Sequence, residues 1–371
     1  MILFFSVQLA SQQYGQMCQA NEDHLAFGQP PVEPSYKMTI ATAVLIALLF
    51  SILNMIVTLL GDAPGGDRQN YIIAFQGVRE TSSAGVMFVI NLLRQFTSNE
   101  HILFYVTTFL SMLITIWAYR ISEDATPAAL FFLLTTQYVF STFSVIKQSY
   151  SNAFAAVCIA LAFRNKGWRD ALLSFVMIAL AIWFHPTGYF LLVIYPLIRI
   201  RKTKGRVIIL FLAMIILGIF FKPIILRVAA IAAPYAPKVS LKIYEYLGEG
   251  EMANEALQGS GPAIVLKGIP YFIITYLGWT RREKLLERIN HYDDYLLLSG
   301  LISYIYIYSA YNSWIYRLAY FLYLPVACFF VQLLQHEEEK NQQILYLIVM
   351  GINAFYTLRF LALMFIRYGG F

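Results

Sequence analysis

Long apolar runs separated by short polar connections dominate the chain from residue 39 onward. A helix needs about 20 apolar residues to cross a hydrocarbon layer about 30 Å thick. The pattern predicts eleven spans, at 39–60, 101–119, 127–146, 149–163, 171–184, 187–198, 207–226, 263–280, 292–310, 318–335 and 342–362. The three short ones, 149–163, 171–184 and 187–198, either cross inside the bundle or re-enter from one side.

Residues 1–38 do not fit this pattern. The run "MILFFSVQLA" is apolar but too short to span a bilayer, and it lacks the basic start of a signal peptide. The prolines of "QPPVEPSY" exclude a continuous helix. We therefore predict a peripheral segment over 1–38 and a single transmembrane domain over 39–371.

Composition assigns the chain to a membrane class. Hydrophobic residues make up 59% of the 371 residues and charged residues 13%, whereas soluble domains carry about 25% charged residues. Mean hydropathy is +0.62. We predict an all-α, polytopic integral membrane bundle of about eleven transmembrane or re-entrant helices. The net charge of +6 gives no indication of nucleic-acid binding, and the scattered cysteines form no disulfide or zinc spacing.

Three basic loops set the predicted orientation. The segments "RNKGWRD", "RIRKTKGR" and "RREKLLER" carry three, five and four Lys or Arg, and alternating spans place all of them on one side. A basic excess in short loops marks the cytoplasmic face. The long loops 61–100 and 227–262 and the turns at 147–148, 185–186 and 311–317 then face outward. Within the first loop, "SSAGVMFVINLLRQF" has helical apolar spacing.

Asp67 and Tyr71 are the first candidate functional residues. They lie in "GGDRQNYIIAF", four positions apart, and so share one face of a helix. The structural alternative is that Asp67 is the N-cap of an interfacial helix. The two interpretations are compatible, because a helix start is also a place to meet a substrate hydroxyl.

Lys147 and His185 are ionisable residues at the junctions of apolar runs. Lys147 either snorkels at a helix end or faces a space between helices. Pro186 disfavours helical conformation at His185, which predicts a helix end or kink that presents the imidazole to the bundle. The alternative is a histidine with a purely structural role, although its near-neutral titration suits an acid, a base or an anion partner.

Arg317 begins an aromatic-rich span in "YNSWIYRLAYFLYLP". A guanidinium binds two phosphate oxygens at once and stays charged. Arg227, Lys238 and Lys242 add positive charge to the long outward loop, where the two lysines fit a solvated or headgroup-facing surface. The convergence of these groups on one predicted face carries more weight than any single one.

Three segments resemble the EpsG/Wzy-type polysaccharide polymerase family. "GGDRQNYIIAF" resembles its G-x-D-x-x-x-Y-x-x-x-F element after the first span. The block from "KQSYSNAF" to "WFHPTGYFLLVIYPL" resembles its central region, with an Arg-Gln-like start and an F-H-x-[ST]-like motif. "WIYRLAYFLYLP" resembles its arginine-containing late span, so that the likeness covers most of residues 40–335.

Two departures from the family pattern concern charged residues. Lys147 stands where the family usually has arginine, which keeps the charge but loses the bidentate fork. The family's E-P-G-F-like element is "SSAG" here, with Glu80 as the nearby acid, so no glutamate role carries over. The residues that match are Asp67, Tyr71, His185 and Arg317, with Lys147 as a substituted match.

The resemblance implies a glycosyltransferase that moves a growing glycan from polyprenyl diphosphate to the next lipid-linked repeat unit. It implies a multi-pass protein of the bacterial cytoplasmic (inner) membrane, with a site facing the periplasm or cell exterior and a GT-C-like architecture as one candidate. Implied partners are the lipid-linked oligosaccharide donor and acceptor, the lipid bilayer, a chain-length regulator and a flippase. No cofactor, metal or nucleic acid is expected.

That chemistry assigns provisional roles. Asp67, His185 and Arg317 are the candidate catalytic residues, with Asp67 placed near the acceptor sugar and His185 near the diphosphate. Either of the first two is a candidate for the general base. Diphosphate or sugar binding falls to Arg68, Tyr71, Lys147, Arg227, Tyr311 and Trp314. Cations would stabilise the departing diphosphate, and the aromatics would stack against sugars.

Three rival functions remain open at the level of sequence. A transporter or flippase of lipid-linked oligosaccharide would bind diphosphate with cations and perform no chemistry. A membrane acyltransferase would also place one histidine in an apolar run, but Asp67 and the cations would then have no clear role. A structural subunit of an export complex would have no site at all.

Overall fold

The computed structural model describes residues 40–59, 66–121, 129, 132, 145–200, 202–235, 237–247, 261–336 and 339–368. Within these ranges the regular secondary structure is entirely helical. The predicted peripheral segment 1–38 and most of the predicted span 127–146 lie outside the described residues. The all-α class predicted from sequence is confirmed for the described part of the chain.

The helices follow one another with short connections. The α-helices are α1 (Ile40–Leu59), α2 (Gly66–Phe75), α3 (Ala84–Arg94), α4 (His101–Ile121), α5 (Ile146–Arg164), α6 (Trp168–Phe184), α7 (Leu191–Arg199), α8 (Lys204–Ile219), α9 (Phe221–Ala232), α10 (Pro237–Leu247), α11 (Pro262–Lys267), α12 (Ile269–Thr280), α13 (Arg282–Leu285), α14 (Tyr292–Tyr308), α15 (Tyr323–Leu334) and α16 (Glu339–Tyr368). Two 3₁₀ segments, Pro186–Phe190 and Ser313–Phe321, precede α7 and α15.

Helices α1, α4, α14 and α16 coincide with predicted spans. Among the described residues, one helix is long and apolar enough to cross a membrane, through its stretch His101–Ala118. The pair Ile315–Phe321 and Tyr323–Leu334, bent by 59°, passes the same test when taken together. The count of eleven spans therefore stays a prediction.

Three segments predicted as continuous helices are broken. They are 207–226, 263–280 and 318–335, and the breaks lie at Phe220, Gly268 and Leu322. Two or three residues after each break comes a proline, namely Pro223, Pro270 and Pro325. Proline donates no backbone hydrogen bond and its ring clashes with the carbonyl four residues earlier. Each proline therefore sits in the first turn of a new helix, where that donor is not needed.

The boundaries of the short segments also differ from prediction. Helix α5 begins at Ile146 and runs for 19 residues, so Lys147 lies in its first turn and not in a connecting turn at 147–148. The predicted span 187–198 divides into the first 3₁₀ segment and the nine-residue α7. The predicted outward loops 61–100 and 227–262 are partly helical, because they contain α2, α3, the end of α9 and α10.

Helix α5 lies at the centre of the bundle. All its residues except Lys147, Phe154 and Arg164 are buried, and its sequence "SNAFAAVCIALAF" is rich in small side chains. Small residues allow helix backbones to approach closely. Helices α4 and α6 pack along α5, and α7, α15 and both 3₁₀ segments also contact it.

The three basic loops meet at one end of this bundle. Lys202 pairs with Asp294, and Lys204 with Glu283, which joins the second loop to the third. His291 of the third connection stacks on Phe163, at 5.3 Å between ring centroids, next to the first loop. The structure therefore brings together the loops that the predicted topology places on one side.

The first basic loop is closed by a bidentate ion pair. Arg164 donates from Nε and Nη2 to the Asp170 carboxylate at 3.0 and 2.5 Å, and the Lys166 backbone N–H donates to Oδ2 at 2.8 Å. These hydrogen bonds, those from Arg164 first, hold the pKa of the Asp170 carboxyl below its usual value. The pair fixes the angle at which α6 returns along α5.

We predict that Asp170→Asn destabilises the protein by about 1–3 kcal/mol at neutral pH, because hydrogen bonds to charged groups contribute about this much. A lowered pKa in the folded state means that the contribution is present above the unfolded pKa of about 3.9. It is lost as the pH falls through the folded value. Thermal melting of the purified protein in detergent, at pH 7 and at successively lower pH, measures the difference.

Glu283→Gln is the matched control. This substitution breaks the ion pair with Lys204. The Lys204 side chain is 55% exposed and the Glu283 side chain 78%, and solvent screens the attraction in such exposed pairs. We expect its melting temperature to equal that of wild type. A variant Asp170→Asn that melts like wild type at pH 7 would contradict the assigned role.

Candidate functional site

Lys147 and His185 lie at the end of the bundle opposite the basic loops. Helix α5 spans 19 residues, which corresponds to about 28 Å. Its first turn, with Lys147, is therefore far from Arg164. Helix α6 returns antiparallel to α5, so its last residue, Phe184, lies beside that first turn.

Phe184 is the centre of a second hydrophobic cluster. Its ring lies 4.5 Å from that of Tyr150 and 5.7 Å from that of Phe154, between centroids. We call the Phe184 cluster the buried set Tyr71, Ala74, Phe75, Val86, Ile90, Leu103, Phe104, Ile146, Tyr150 and Phe184. It brings the ends of α2 to α6 together around the residues that flank Lys147 and His185.

Ser83 fastens this cluster to the end of α6. Its hydroxyl donates to the Phe184 carbonyl at 2.7 Å and accepts from the backbone N–H of Val86 at 3.3 Å. The same side chain thus caps α3 and satisfies a carbonyl that the helix end leaves without an intrahelical partner. The residue before His185 is held in place as a result.

His185 adopts the conformation that its sequence predicts. Helix α6 ends at Phe184, and His185 is extended, with φ −151° and ψ 134°. Its Nδ1 accepts from the backbone N–H of Thr187 at 3.1 Å and lies 2.6 Å from Thr187 Oγ1. The predicted helix end at the histidine is therefore confirmed.

Thr187 connects the histidine to α5. Its Oγ1 lies 3.4 Å from Gln148 Oε1, and Gln148 Nε2 donates to Asn152 Oδ1 at 3.0 Å. Gln148 and Asn152 are buried, whereas the neighbouring Lys147 is only partly buried. A line of close polar contacts therefore runs from the imidazole to the first turn of α5.

Helix α2 contributes Tyr71 and Arg68. Tyr71 is 2% exposed and belongs to the Phe184 cluster. The Arg68 guanidinium stacks 3.8 Å above the Phe104 ring and donates to Asn54 Oδ1 at 3.4 Å, which pins α2 to α1 and α4. Helix α2 begins at Gly66, so Asp67 occupies the second helical position and not the N-cap; its side chain lies outside the described residues.

Arg317 lies on the second 3₁₀ segment, which packs against α5 and α14. Its side chain is partly buried. Phe321 of the same segment lies 6.4 Å from Phe190, between ring centroids, and Phe190 ends the turn that begins at Pro186. The 3₁₀ segment that carries Arg317 thus contacts, through these rings, the 3₁₀ segment that directly follows His185.

The remaining predicted residues lie apart from the Phe184 cluster or cannot be placed. Arg227 is exposed on α9, whose main packing is against α8 and α10. Tyr311 is 70% exposed. The Trp314 side chain lies outside the described residues. None of these observations brings the three together with His185.

The structure adds three residues that received no role from the sequence. Gln148 is the glutamine of the Arg-Gln-like motif, and Thr187 is the last position of the F-H-x-[ST]-like motif. These motif positions are the sequence signal by which both residues could have been found. Lys267 lies inside the predicted span 263–280, partly buried, with Nζ 5.9 Å from the centroid of the Tyr316 ring. An ionisable residue within an apolar span is itself a functional signal.

Positive charge and hydrogen-bonding groups lie on neighbouring elements. Lys147 and Arg317 are partly buried, Arg68 is buried against Phe104, and His185 and Thr187 contribute hydrogen-bonding groups. Low-dielectric surroundings strengthen electrostatic interactions, so partly buried cations of this kind can stabilise negative charge.

Comparison with known families gives one match. The model described as the EpsG family matches residues 43–368, almost the whole chain. The comparison with curated proteins yields no match. The comparison with solved structures likewise yields none.

We predict that Gly188→Ala disturbs this site. A Cβ at Gly188 would lie 2.6 Å from the carbonyl carbon of Ala181 and 2.6 Å from the nitrogen of Ile182, both backbone atoms of α6. The turn that holds Thr187 must then move away from α6, at a cost of about 1–3 kcal/mol. The melting temperature in detergent should fall accordingly.

Gly351→Ala is the control, because a Cβ there meets nothing within 4 Å and the residue lies inside α16. Alanine is the better helix former by about 0.5–1 kcal/mol, so this variant should melt no lower than wild type. Equal melting temperatures for the two variants would contradict the close packing of the turn.

Proposed function

Because the chain belongs to the EpsG family, a family of Wzy-type polymerases, we propose that it polymerises lipid-linked repeat units. Membership makes it a membrane protein of polysaccharide biosynthesis. In the proposed reaction, a growing glycan moves from polyprenyl diphosphate to the terminal sugar of the next lipid-linked unit. The lipid bilayer, the donor and the acceptor are the partners that this reaction requires, and a flippase and a chain-length regulator would act beside it.

The chemistry breaks one bond and forms one. The bond between the anomeric carbon of the donor sugar and a diphosphate oxygen breaks, and the acceptor hydroxyl oxygen bonds to that carbon. The hydroxyl proton passes to a base, and the diphosphate leaves with additional negative charge. A site for this reaction therefore needs cations at the leaving group and a proton acceptor near the other substrate.

The supporting observation is the meeting of separate family motifs at one place. The Phe184 cluster contains Tyr71 from the first segment and Tyr150 from the start of the second, together with Ile146, which directly precedes Lys147. Thr187 contacts both His185, at the end of the second segment, and Gln148, at its start. Residues more than 100 positions apart in the sequence, such as Tyr71 and Phe184, thus converge beside Lys147.

Roles follow from these positions. Lys147 and Arg317 would face the diphosphate, with Arg68 holding α2 in place beside them. Asp67 lies in the first turn of the helix whose next turn carries Tyr71, and it would receive the proton of the acceptor hydroxyl. Arg227, Tyr311 and Trp314 would contact the glycan or headgroups farther from the reacting atoms.

The orientation is part of the proposal. The basic loops meet at one end of the bundle and the candidate residues lie at the other. If the basic end is cytoplasmic, the site opens toward the periplasm or cell exterior of a bacterial inner membrane. Lipid-linked units would then have to reach that side before they are joined.

We predict that His185→Ala and Arg317→Ala each reduce polymerisation by about 100- to 1,000-fold, as expected when one preorganised stabilising group is removed. The test is complementation of a strain that lacks this gene, with polymer length scored on a gel. Wild type should restore a ladder, and both variants should accumulate single lipid-linked units at normal membrane abundance.

His336→Ala and Arg288→Ala are the matched controls. Arg288 is exposed in the third basic loop, and His336 follows α15, which ends at the same end of the bundle. Both should give a normal ladder. Normal ladders for the site variants would overturn the assigned site. Repeat units trapped on the cytoplasmic side after gene deletion would instead identify a flippase.

We predict a different outcome for two substitutions of Lys147. Lys147→Arg keeps the charge and adds the fork that the family usually has, so it should polymerise at least as well as wild type. Lys147→Met keeps the length but removes the charge, and its ladder should be lost. Lys284→Met, at an exposed position of the basic end, is the control; equal ladders for all three would remove Lys147 from the site.

A further inference from the structure

We propose that Thr187 fixes His185 as the Nε2–H tautomer, so that the imidazole donates a hydrogen bond to a phosphate oxygen and does not act as the general base. This inference rests on the proposed polymerase function for the identity of the anion. The tautomer itself follows from the hydrogen bonds at Nδ1. Thr187 is thereby a positioning residue, because it acts through the histidine.

The first argument is the backbone N–H of Thr187. It points at His185 Nδ1, with 3.1 Å between the nitrogens. A backbone N–H can only donate, so Nδ1 must offer its lone pair and carries no proton. In a neutral imidazole one nitrogen is a donor and the other an acceptor, which places the proton on Nε2.

The second argument is the hydroxyl of the same residue. Thr187 Oγ1 lies 2.6 Å from Nδ1 and 3.4 Å from Gln148 Oε1. A hydroxyl has one proton to give. Since O–H donors prefer short distances, we assign this proton to the 2.6 Å contact with Nδ1, and the 3.4 Å approach to Gln148 Oε1 is then a polar contact without a hydrogen bond. The single lone pair of Nδ1 is thus shared by two donors of one residue.

Pro186 and Gly188 hold Thr187 in this position. The proline ends α6 and opens the 3₁₀ turn, whose closing hydrogen bond runs from the Gly188 N–H to the His185 carbonyl at 2.9 Å. Gly188 is packed against the backbone of α6. The histidine and the threonine therefore belong to one rigid turn.

This geometry separates the two roles that the sequence left open. Nε2 bears a proton, so it has no lone pair with which to accept the proton of a sugar hydroxyl. A second proton on Nδ1 would face the Thr187 N–H and leave that partly buried donor without its acceptor. His185 is therefore suited to donate to an anion, which leaves Asp67 as the candidate base.

Solid-state NMR of protein in nanodiscs, labelled with ¹⁵N and ¹³C at histidine only, tests the tautomer directly. The chain has five histidines, and the difference from the His185→Gln spectrum isolates the signals of His185. At about pH 8, where an ordinary imidazole is neutral, we expect protonated Nε2 and unprotonated Nδ1. Protonated Nδ1 would overturn the inference.

Variants of Thr187 test its positioning role. Thr187→Val keeps the backbone N–H but removes the hydroxyl, and it should shift the Nδ1 resonance and reduce polymerisation about five- to tenfold. Thr187→Ser should restore both. Thr280→Val, which removes an exposed hydroxyl bonded to its own helix at 3.0 Å, should change neither. An unmoved Nδ1 resonance in Thr187→Val would contradict the positioning role.

Substitution of the histidine itself distinguishes a donor from a base. Glutamine places an amide N–H near the position of Nε2 but cannot accept a proton. We expect His185→Gln to polymerise about 10- to 100-fold better than His185→Ala. Equal loss in the two variants would overturn the donor role.

The two proposals fail in different ways. If the wild-type gene restores no polymer, the proposed function fails while the tautomer measurement still stands by itself. If wild type polymerises but Nδ1 is protonated, or glutamine is no better than alanine, the polymerase survives and the donor role of His185 fails.

Discussion

The arrangement of the site depends on the burial of α5 on all sides. Its small side chains let α4 and α6 lie close along it, and close-packed interiors yield little to local strain. The position of its first turn is therefore set by the whole length of the helix and not by the residues of that turn alone. Lys147 and Gln148 lie in that first turn and are therefore held in position. The 3₁₀ turn that follows His185 packs against the same helix.

The sequence predicted the class of fold and the main helices because apolar length is a strong signal. It also located the helix end at His185 through Pro186. The breaks at Phe220, Gly268 and Leu322 were missed, although a proline follows each one. Span prediction by apolar length alone ignores these prolines. Whether a proline kinks a helix or ends it depends on how the neighbouring helices pack against the residues that follow.

The site was predictable in part. Motif resemblance selected Tyr71, Lys147, His185 and Arg317, and the structure carries the first three on elements that meet around Phe184, with Arg317 on a segment that touches the His185 turn. The partnership of Thr187 with His185 could not be predicted, because it depends on the φ and ψ angles of one turn. The stacking of Arg68 on Phe104 could not be predicted from the sequence either. The residues around Arg68 in the sequence do not distinguish an arginine stacked on a ring of another helix from one that binds substrate.

The ion pairs among the basic loops have a mechanical consequence. Lys202 and Asp294, whose paired side chains are largely buried, fasten the connection between α7 and α8 to the start of α14. Arg282, hydrogen-bonded twice to Asp293 at 2.7 Å, braces that segment from within. A bundle clamped in this way at one end separates its helices most easily at the other.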